Sequence, residues 1–221
     1  MNEPFVRWDW IWDHMDQVGE RLIEHVQLTV IAVVLGLLIS LPLGLIAYRY
    51  RKSYAPIAGV TGILYTIPSL ALLAFLVPFT GFSTTTAEVA LVSYTLLILI
   101  RNIVSGLDGV PEDVKEAAKG MGYSSRQSLW RIEIPLALPV IAAGIRVATV
   151  TTIGLVTVTA LIGKGGLGYF ILLGIRGLFP TPALLGSVLS VALAIAVDAV
   201  LLGGQKLVTP WTRVTAARSE A

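Results

Sequence analysis

Polar residues that could do chemistry are few in this sequence, and none forms a catalytic constellation. The only two histidines, His14 and His25, precede the first long apolar stretch, and no G-x-S-x-G or H-E-x-x-H pattern occurs. Gly163–Lys164 lacks the upstream glycine and the following Ser or Thr of a phosphate-binding loop. Cysteine is absent, which excludes disulfides and thiolate metal sites. The sequence therefore predicts a non-catalytic chain with no metal or cofactor of its own.

One ionisable residue deep in an apolar segment calls for a partner. Asp198 lies in the last apolar stretch, where a carboxylate costs on the order of 2.5 to 3.5 kcal/mol on insertion scales. Arg146, in the preceding apolar stretch, falls at a similar predicted depth. We therefore expect an Arg146–Asp198 ion pair within the membrane. A lone hydrated carboxylate in a cavity is the alternative.

Hydroxyl and phenol groups inside the apolar segments are candidates for a weakly polar path. The candidate path-lining residues are Tyr65, Ser69, Thr149, Thr152 and Thr159, and the three threonines share one helical face. Threonine hydroxyls can instead bond back to carbonyls of their own helix, and membrane tyrosines are often structural. A tyrosine face also offers a cation–π contact to a cationic solute.

The composition indicates lipid as the main solvent. Of 221 residues, 55% are hydrophobic and 14% charged, whereas soluble domains carry about a quarter of their residues charged. The net charge of +2 is too small to suggest nucleic acid. The apolar residues come in blocks of about twenty, the length that crosses a bilayer as a helix. We predict an all-α membrane protein with five transmembrane helices, over residues 28–48, 57–79, 87–100, 138–162 and 183–203.

The two ends of the chain are expected to lie outside the hydrocarbon. Residues 1–27 are amphipathic, and Trp8, Trp10 and Trp12 are typical of the headgroup level. They predict an external interfacial helix, with a solvated tail as the alternative. Residues 204–221 are polar enough to form a tail on the other side. Kinks are expected near Pro42, Pro68 and Pro78, and residues 162–168 read as an external loop or re-entrant turn.

A polar loop over residues 108–135 is longer than a connection between two spans requires, and it is organised. Pro111 is well placed to open a helix, and Gly122 to end it in the left-handed conformation. Ser124 and Gln127 fit a capping box that opens a second short helix, which we expect to end before Pro135. The sequence predicts a helix–turn–helix.

The first helix of this loop carries an apolar stripe of small residues, namely Val114, Ala117, Ala118 and Met121. The stripe fits either a plug against the bundle or a docking surface for a soluble partner. Small side chains permit close approach to a groove, which favours docking.

The loop resembles the EAA loop of ABC-importer permeases. The pattern EAA, three residues, Gly, nine residues, Ile, one residue, Leu-Pro is met by Glu116, Ala117, Ala118, Gly122, Ile132 and Pro135, with Ile134 where Leu is usual. The stretches HVQLT from His25, TIPSLALL from Thr66, LALPVIAAGIR from Leu136 and IGKGGLG from Ile162 are similar to permeases for glycine betaine, carnitine and choline.

This resemblance implies the fold of type I ABC importer permeases with a cytoplasmic coupling loop. Glu116, Ala117, Ala118 and Gly122 would couple the chain to a pair of cytoplasmic ATPases, which bind ATP and Mg²⁺. A second permease copy and an external binding protein, separate or fused, complete such an assembly. The implied function is ATP-driven import of osmoprotectants. The alternatives are an amino acid or another betaine-like solute on the same fold, or an ion-coupled secondary transporter, for which clear inverted repeats are missing.

The distribution of basic residues predicts the orientation. With the amino terminus outside and the carboxyl terminus inside, only Arg7, Arg21, Lys164 and Arg176 of the sixteen basic residues face outward. Lysine and arginine concentrate in short cytoplasmic loops of membrane proteins. We therefore place the EAA loop (residues 108–135) in the cytoplasm of a cell-membrane protein.

Cysteine labelling tests this orientation in a chain without native thiols. Thr85→Cys and Lys164→Cys should react with reagents confined to the outside of intact cells, whereas Arg51→Cys and Lys119→Cys should react only after permeabilisation. The opposite pattern would invert the topology.

Overall fold

A computed structural model describes residues 5–211 as helices joined by short turns, with no strand in that range. The helices are α1 Trp8–Asp13, α2 Met15–Arg49, α3 Arg51–Thr66, α4 Ser69–Thr80, α5 Thr84–Asp108, α6 Glu112–Gly120, α7 Ser125–Ser128, a π-helical turn Leu129–Glu133, α8 Ile134–Val158, a 3₁₀ turn Thr159–Ile162, α9 Gly168–Gly177 and α10 Pro180–Val208.

Five segments of the described chain can cross a membrane. Four are long apolar helical stretches, namely α2, α5, the run Ser125–Ile162 and α10. The fifth is the pair α3 and α4, which meet at a bend of 94°. The predicted all-α fold with five crossing segments is confirmed when this bent pair counts as one.

The bend between α3 and α4 follows from Pro68. Proline has no N–H and disfavours helical geometry in the residue before it, and Ile67 is extended with φ −64° and ψ 127°. The Ile67 carbonyl freed by the bend accepts a hydrogen bond from the Tyr94 hydroxyl at 2.5 Å. Pro42 and Pro78 lie inside α2 and α4 without ending them.

Helix α5 lies at the centre of the bundle and contacts α2, α3, α4 and α8. Small residues on α2 allow the closest approach. A Cβ atom at Gly36 would lie 2.0 Å from Thr95 Oγ1, and one at Gly44 would lie 2.7 Å from Ile103 Cγ2. The two backbones therefore approach one another as membrane helices with small interfacial residues do.

The amino-terminal segment differs from the prediction. A short helix α1 is followed by α2, which begins at Met15 and runs without a break through the predicted first span. At 35 residues, α2 is about 52 Å long, more than the roughly 30 Å of hydrocarbon requires. The helix thus continues through the predicted boundary at residue 27, and no helix end separates the amphipathic segment from the first span. Met1 to Pro4 and residues 212–221, most of the predicted tail, lie outside the described residues.

The second helix of the EAA loop does not end before Pro135 as predicted. It continues through the π-helical turn into α8, so that Ser125–Ile162 is one helical run. The Ile134 N–H donates to the Leu129 carbonyl, five residues earlier. This wider register accommodates a proline that cannot donate to the carbonyl four residues before it.

The segment after α8 is held by a buried histidine. His25 Nε2 donates to the Ile153 carbonyl at 3.0 Å, and the Leu167 N–H donates to His25 Nδ1 at 3.3 Å. Gly166, with φ +48°, lies directly against the His25 backbone. The predicted external loop is therefore a tight turn followed by α9, a helix that the sequence analysis did not identify.

Gly36→Ala tests the packing of α2 on α5. The added Cβ collides with Thr95, and overpacking of this kind costs about 1–3 kcal/mol, so we expect a lower midpoint of thermal unfolding in detergent. Gly19→Ala on the same helix has nothing within 4 Å and should unfold at or slightly above the wild-type temperature, because alanine favours helix. Equal midpoints for the two variants would contradict this contact.

Candidate functional site

The EAA loop folds into two helices joined by a left-handed turn. Gly122 has φ +83°, and the Tyr123 N–H donates to the Ala118 carbonyl at 3.1 Å, which closes the end of α6. The capping box is present as predicted: the Gln127 N–H donates to Ser124 Oγ at 3.3 Å, and the Ser124 N–H donates to Gln127 Oε1 at 2.9 Å. The turn therefore has a fixed shape.

The apolar stripe of α6 is divided between two surfaces. Ala118 is fully buried and Val114 is half-buried, so these residues pack inside the loop. Ala117 and Glu116 are exposed, and 68% of Met121 is accessible. Of the four predicted coupling residues, Glu116, Ala117 and Gly122 lie on the outer surface, and Ala118 holds α6 in place from the inner side.

A buried carboxylate ties this loop to the end of α2. Glu133, only 8% exposed, accepts hydrogen bonds from the Tyr48 hydroxyl and from Ser128 Oγ, both at 2.8 Å. Lys115 Nζ lies 5.7 Å from the centre of the Tyr48 ring and 3.4 Å from a Glu112 oxygen. Burial alone would lower the pKa of Lys115. Its interactions with Tyr48 and Glu112 raise the pKa by more than burial lowers it, so the amine stays charged at neutral pH.

The same end of the bundle carries a second polar link. Arg51, at the start of α3, donates from Nη1 and Nη2 to the two carboxylate oxygens of Asp108, at the end of α5, over 2.8 and 2.6 Å. Bidentate pairs of this kind fix orientation as well as distance. The ends of α2, α3 and α5 are therefore held together beside the EAA loop.

The structure brings Arg146 and Asp198 together. Arg146 Nε donates to Asp198 Oδ1 at 2.9 Å and Nη2 donates to Oδ2 at 2.8 Å. Gln205 extends the network, accepting from Arg146 Nη1 at 3.3 Å and donating to the Pro139 carbonyl at 3.0 Å. This network joins α8 to α10.

The three candidate threonines of the path point toward protein. Thr149, Thr152 and Thr159 are at most 6% exposed, and each donates to a carbonyl of its own helix at 2.7 or 2.8 Å. In this conformation their hydroxyls therefore bond to the backbone of their own helix instead of lining a polar path. Thr149 also borders an apolar groove between α2, α8 and α10.

Tyr65 and Ser69 lie at the bend between α3 and α4. Tyr65 is 39% exposed, and its ring meets that of Tyr94 edge to face with centroids 6.1 Å apart. Ser69 begins α4 directly after Pro68 and is half-buried. These two residues are therefore partly accessible, whereas Thr149, Thr152 and Thr159 are buried.

Sequence reasoning missed several polar residues of the interior, among them His25, Glu133 and Glu88. Glu88 on α5 has both carboxylate oxygens buried without a hydrogen-bond partner in the described part of the chain. The insertion-cost argument applied to Asp198 would also have singled it out. Nothing local marks Glu133 among the other acidic residues of its loop, because its burial depends on Tyr48, 85 positions away.

A bundle of five apolar segments with an EAA loop at one end is the fold of type I ABC importer permeases. The structure superposes on the inward-facing methionine ABC transporter MetNI with a TM-score of 0.79 and 24% identity, covering 89% of this chain and 98% of that one. This likeness confirms the predicted fold class. Residues 29–214 match the binding-protein-dependent transport system inner membrane component family, and the chain belongs to that family.

Two curated relatives cover most of the chain. The choline transport system permease protein OpuBB of Bacillus subtilis is 40% identical over 187 residues, which is 85% of this chain and 86% of the relative. The osmoprotectant import permease protein OsmW of Salmonella typhimurium is 36% identical over 203 residues, covering 90% and 94%. The family resemblance stated from the EAA loop is confirmed, and the chain is a multi-pass membrane permease.

A double-mutant cycle tests the Arg146–Asp198 pair. Asp198→Asn and Arg146→Gln should each lower the unfolding midpoint in detergent, because each leaves the other charge without its partner. The double variant should lose less than the sum of the two. As a control, Asp198→Asn combined with Arg131→Gln, an exposed residue of the EAA loop, should give additive losses. Additive losses in both combinations would mean that the pair is not coupled.

Proposed function

We propose that this chain forms the translocation path of an ATP-driven importer of osmoprotectants such as glycine betaine, choline or carnitine. The support comes from two relatives, a choline transport permease and an osmoprotectant import permease, which are 36 to 40% identical over most of the chain. The chain itself catalyses nothing in this proposal. ATP and Mg²⁺ are bound by a partner ATPase, and solute is first captured by a binding protein or a fused binding domain.

The geometry of the EAA loop carries the coupling part of this proposal. Its outer surface presents Glu116 and Ala117 to solvent, while Ala118 is buried beneath them. A plug would turn the exposed side chains of α6 into the bundle, so their accessibility favours a docking surface for a soluble partner. We infer that this partner is the ATPase dimer, and that the Gly122 turn gives the surface its shape.

The remaining parts of the assembly follow from the same family. In our proposal two permease copies lie side by side, the EAA loop faces the cytoplasm, and the opposite end of the bundle faces the binding protein. That opposite end is formed by α1 and α9, where Trp10 packs edge-on against Phe170 and Phe179. The bias of basic residues supports the orientation.

Co-purification tests the proposed assembly and the solute. The chain should co-purify with its candidate ATPase. In proteoliposomes, a binding protein loaded with glycine betaine, choline or carnitine should stimulate ATP hydrolysis. If only methionine or histidine stimulates ATP hydrolysis, the chain is still part of an ABC importer, but its solute is not an osmoprotectant. Uptake by the chain without any ATPase would reject the importer in favour of a secondary transporter.

Variants of the docking surface test coupling. Glu116→Lys reverses a charge on the outer surface of α6, and Gly122→Leu places a side chain at positive φ, which costs about 1–2 kcal/mol. Both should insert normally and lose most uptake and most stimulated ATP hydrolysis, because engagement of the ATPase is weakened.

The matched control is Glu20→Lys, which reverses an exposed charge near the other end of α2. It should retain ATPase co-purification. Normal uptake by both loop variants at normal expression would show that the EAA loop does not couple the chain to its ATPase.

A further inference from the structure

A cleft of about 690 Å³ opens between the end of α2 and the EAA loop. Its walls come from the last turn of α2, the start of α3, the inner side of α6, and α7. The lining residues are Leu45, Ile46, Tyr48, Arg49, Tyr50, Arg51, Glu112, Lys115, Lys119, Ser125, Arg126, Ser128, Leu129 and Glu133. The proposed docking residues Glu116, Ala117 and Gly122 are not among them, so the cleft is a separate surface of the same loop.

The charge in the cleft is unbalanced toward positive. Two of its five cations are paired: Arg51 with Asp108 and Lys115 with Glu112. The other three, Arg49, Lys119 and Arg126, have no ion-pair partner within residues 5–211. Glu133, the second carboxylate of the lining, accepts hydrogen bonds from the neutral hydroxyls of Tyr48 and Ser128, so its charge also counts in the balance of the cleft. Five cations against the carboxylates of Glu112, Glu133 and Asp108 leave a formal excess of two positive charges at this concave space. Arg49, Lys119 and Arg126 are among the exposed cations.

One wall of the cleft is apolar and belongs to a membrane-crossing helix. Leu45 and Ile46 lie on the last turns of α2, and 44% of Ile46 is accessible. Leu129 continues this wall on the side of the EAA loop. Hydrocarbon contacts are thus offered beside cations at the end of a membrane-crossing segment, where lipid headgroups lie.

We propose that this cleft binds the phosphate of an anionic phospholipid headgroup, with Arg49, Lys119 and Arg126 around the phosphate and an acyl chain along Leu45 and Ile46. Basic pockets at the ends of membrane helices bind acidic headgroups in this way. A free phosphate shares the headgroup chemistry but gains nothing from the apolar wall. An acidic protein surface is disfavoured because the concave cleft is set apart from the outer surface of α6.

Lipid retention by the purified full-length chain tests the proposal. After delipidation in detergent, native mass spectrometry compares phosphatidylglycerol with phosphatidylcholine of the same acyl chains. The wild-type chain should retain phosphatidylglycerol preferentially. Lys119→Gln combined with Arg126→Gln should weaken that retention by on the order of thirtyfold, since each basic residue near an anionic headgroup contributes about 1 kcal/mol. High salt should also weaken the retention of phosphatidylglycerol by the wild-type chain, because it screens the charges.

The matched control is Lys52→Gln combined with Arg131→Gln, which removes the same charge from exposed residues outside the cleft. It should retain phosphatidylglycerol as the wild type does, and equal unfolding midpoints would show that both double variants are folded. Equal loss in the two double variants, or no headgroup preference in the wild type, would overturn the proposal.

Two further arms separate the other occupants. Binding of inorganic phosphate at millimolar concentration, without any preference for phosphatidylglycerol, would overturn the lipid assignment in favour of a free anion. If neither lipid nor phosphate binds, and only the cleft variant loses ATPase co-purification, the cleft is a protein interface and the proposal fails. The lipid assay uses the permease alone, so its result does not depend on the solute or on the proposed ATPase.

Discussion

Hydrocarbon supplies no hydrogen bonds, and this constraint governs the whole structure. Every membrane-crossing segment must satisfy its own backbone, which leaves helices as the available conformation. The sharp break at Pro68, within the bent crossing segment, exposes the Ile67 carbonyl, and Tyr94 from the neighbouring helix supplies the missing donor. The buried hydroxyls of Thr149, Thr152 and Thr159 follow the same rule, because each donates to a backbone carbonyl three or four residues earlier.

Within that constraint, packing depends on how closely two helices can approach. Lipid tails are as apolar as leucine, so a large apolar side chain gains little free energy when it moves from lipid to a neighbouring helix. Gly36 and Gly44 bring α2 onto α5, and side chains of α5 such as Thr95 and Ile103 occupy the space that a larger residue would fill. The bundle is thus organised around α5, which packs against α2, α3, α4 and α8.

Local signals in the sequence predicted a large part of the fold and less of its continuity. Features that depend on residues close in sequence could be predicted, namely the apolar blocks, the capping box at Ser124 and the left-handed conformation of Gly122. The uninterrupted run through Pro135 was not, because it requires a π-helical register that local rules treat as a helix end. The anchoring of residues 163–168 was also hidden, since its key contact joins Leu167 to His25 across 142 positions.

The candidate sites divide in the same way. The apolar residues around Asp198 indicated that its carboxylate needs a partner. Arg146 was predicted as that partner because it lies at a similar depth in the preceding span. The stripe on α6 was recognised as a pattern, but which alanine faces inward depends on how α6 rests on α7, which spacing alone does not specify.

The unbroken helix from Ser125 to Ile162 gives the chain a mechanical property. A flexible linker between the EAA loop and α8 would let the loop swing while the membrane part stayed at rest. Here the helical run continues from α7 into α8 without a linker, and Glu133 and Arg146 tie two of its turns to neighbouring helices. A displacement of α7 would therefore reach α8 as tilt or rotation, toward the end of the run where Thr159 and the His25-anchored turn lie.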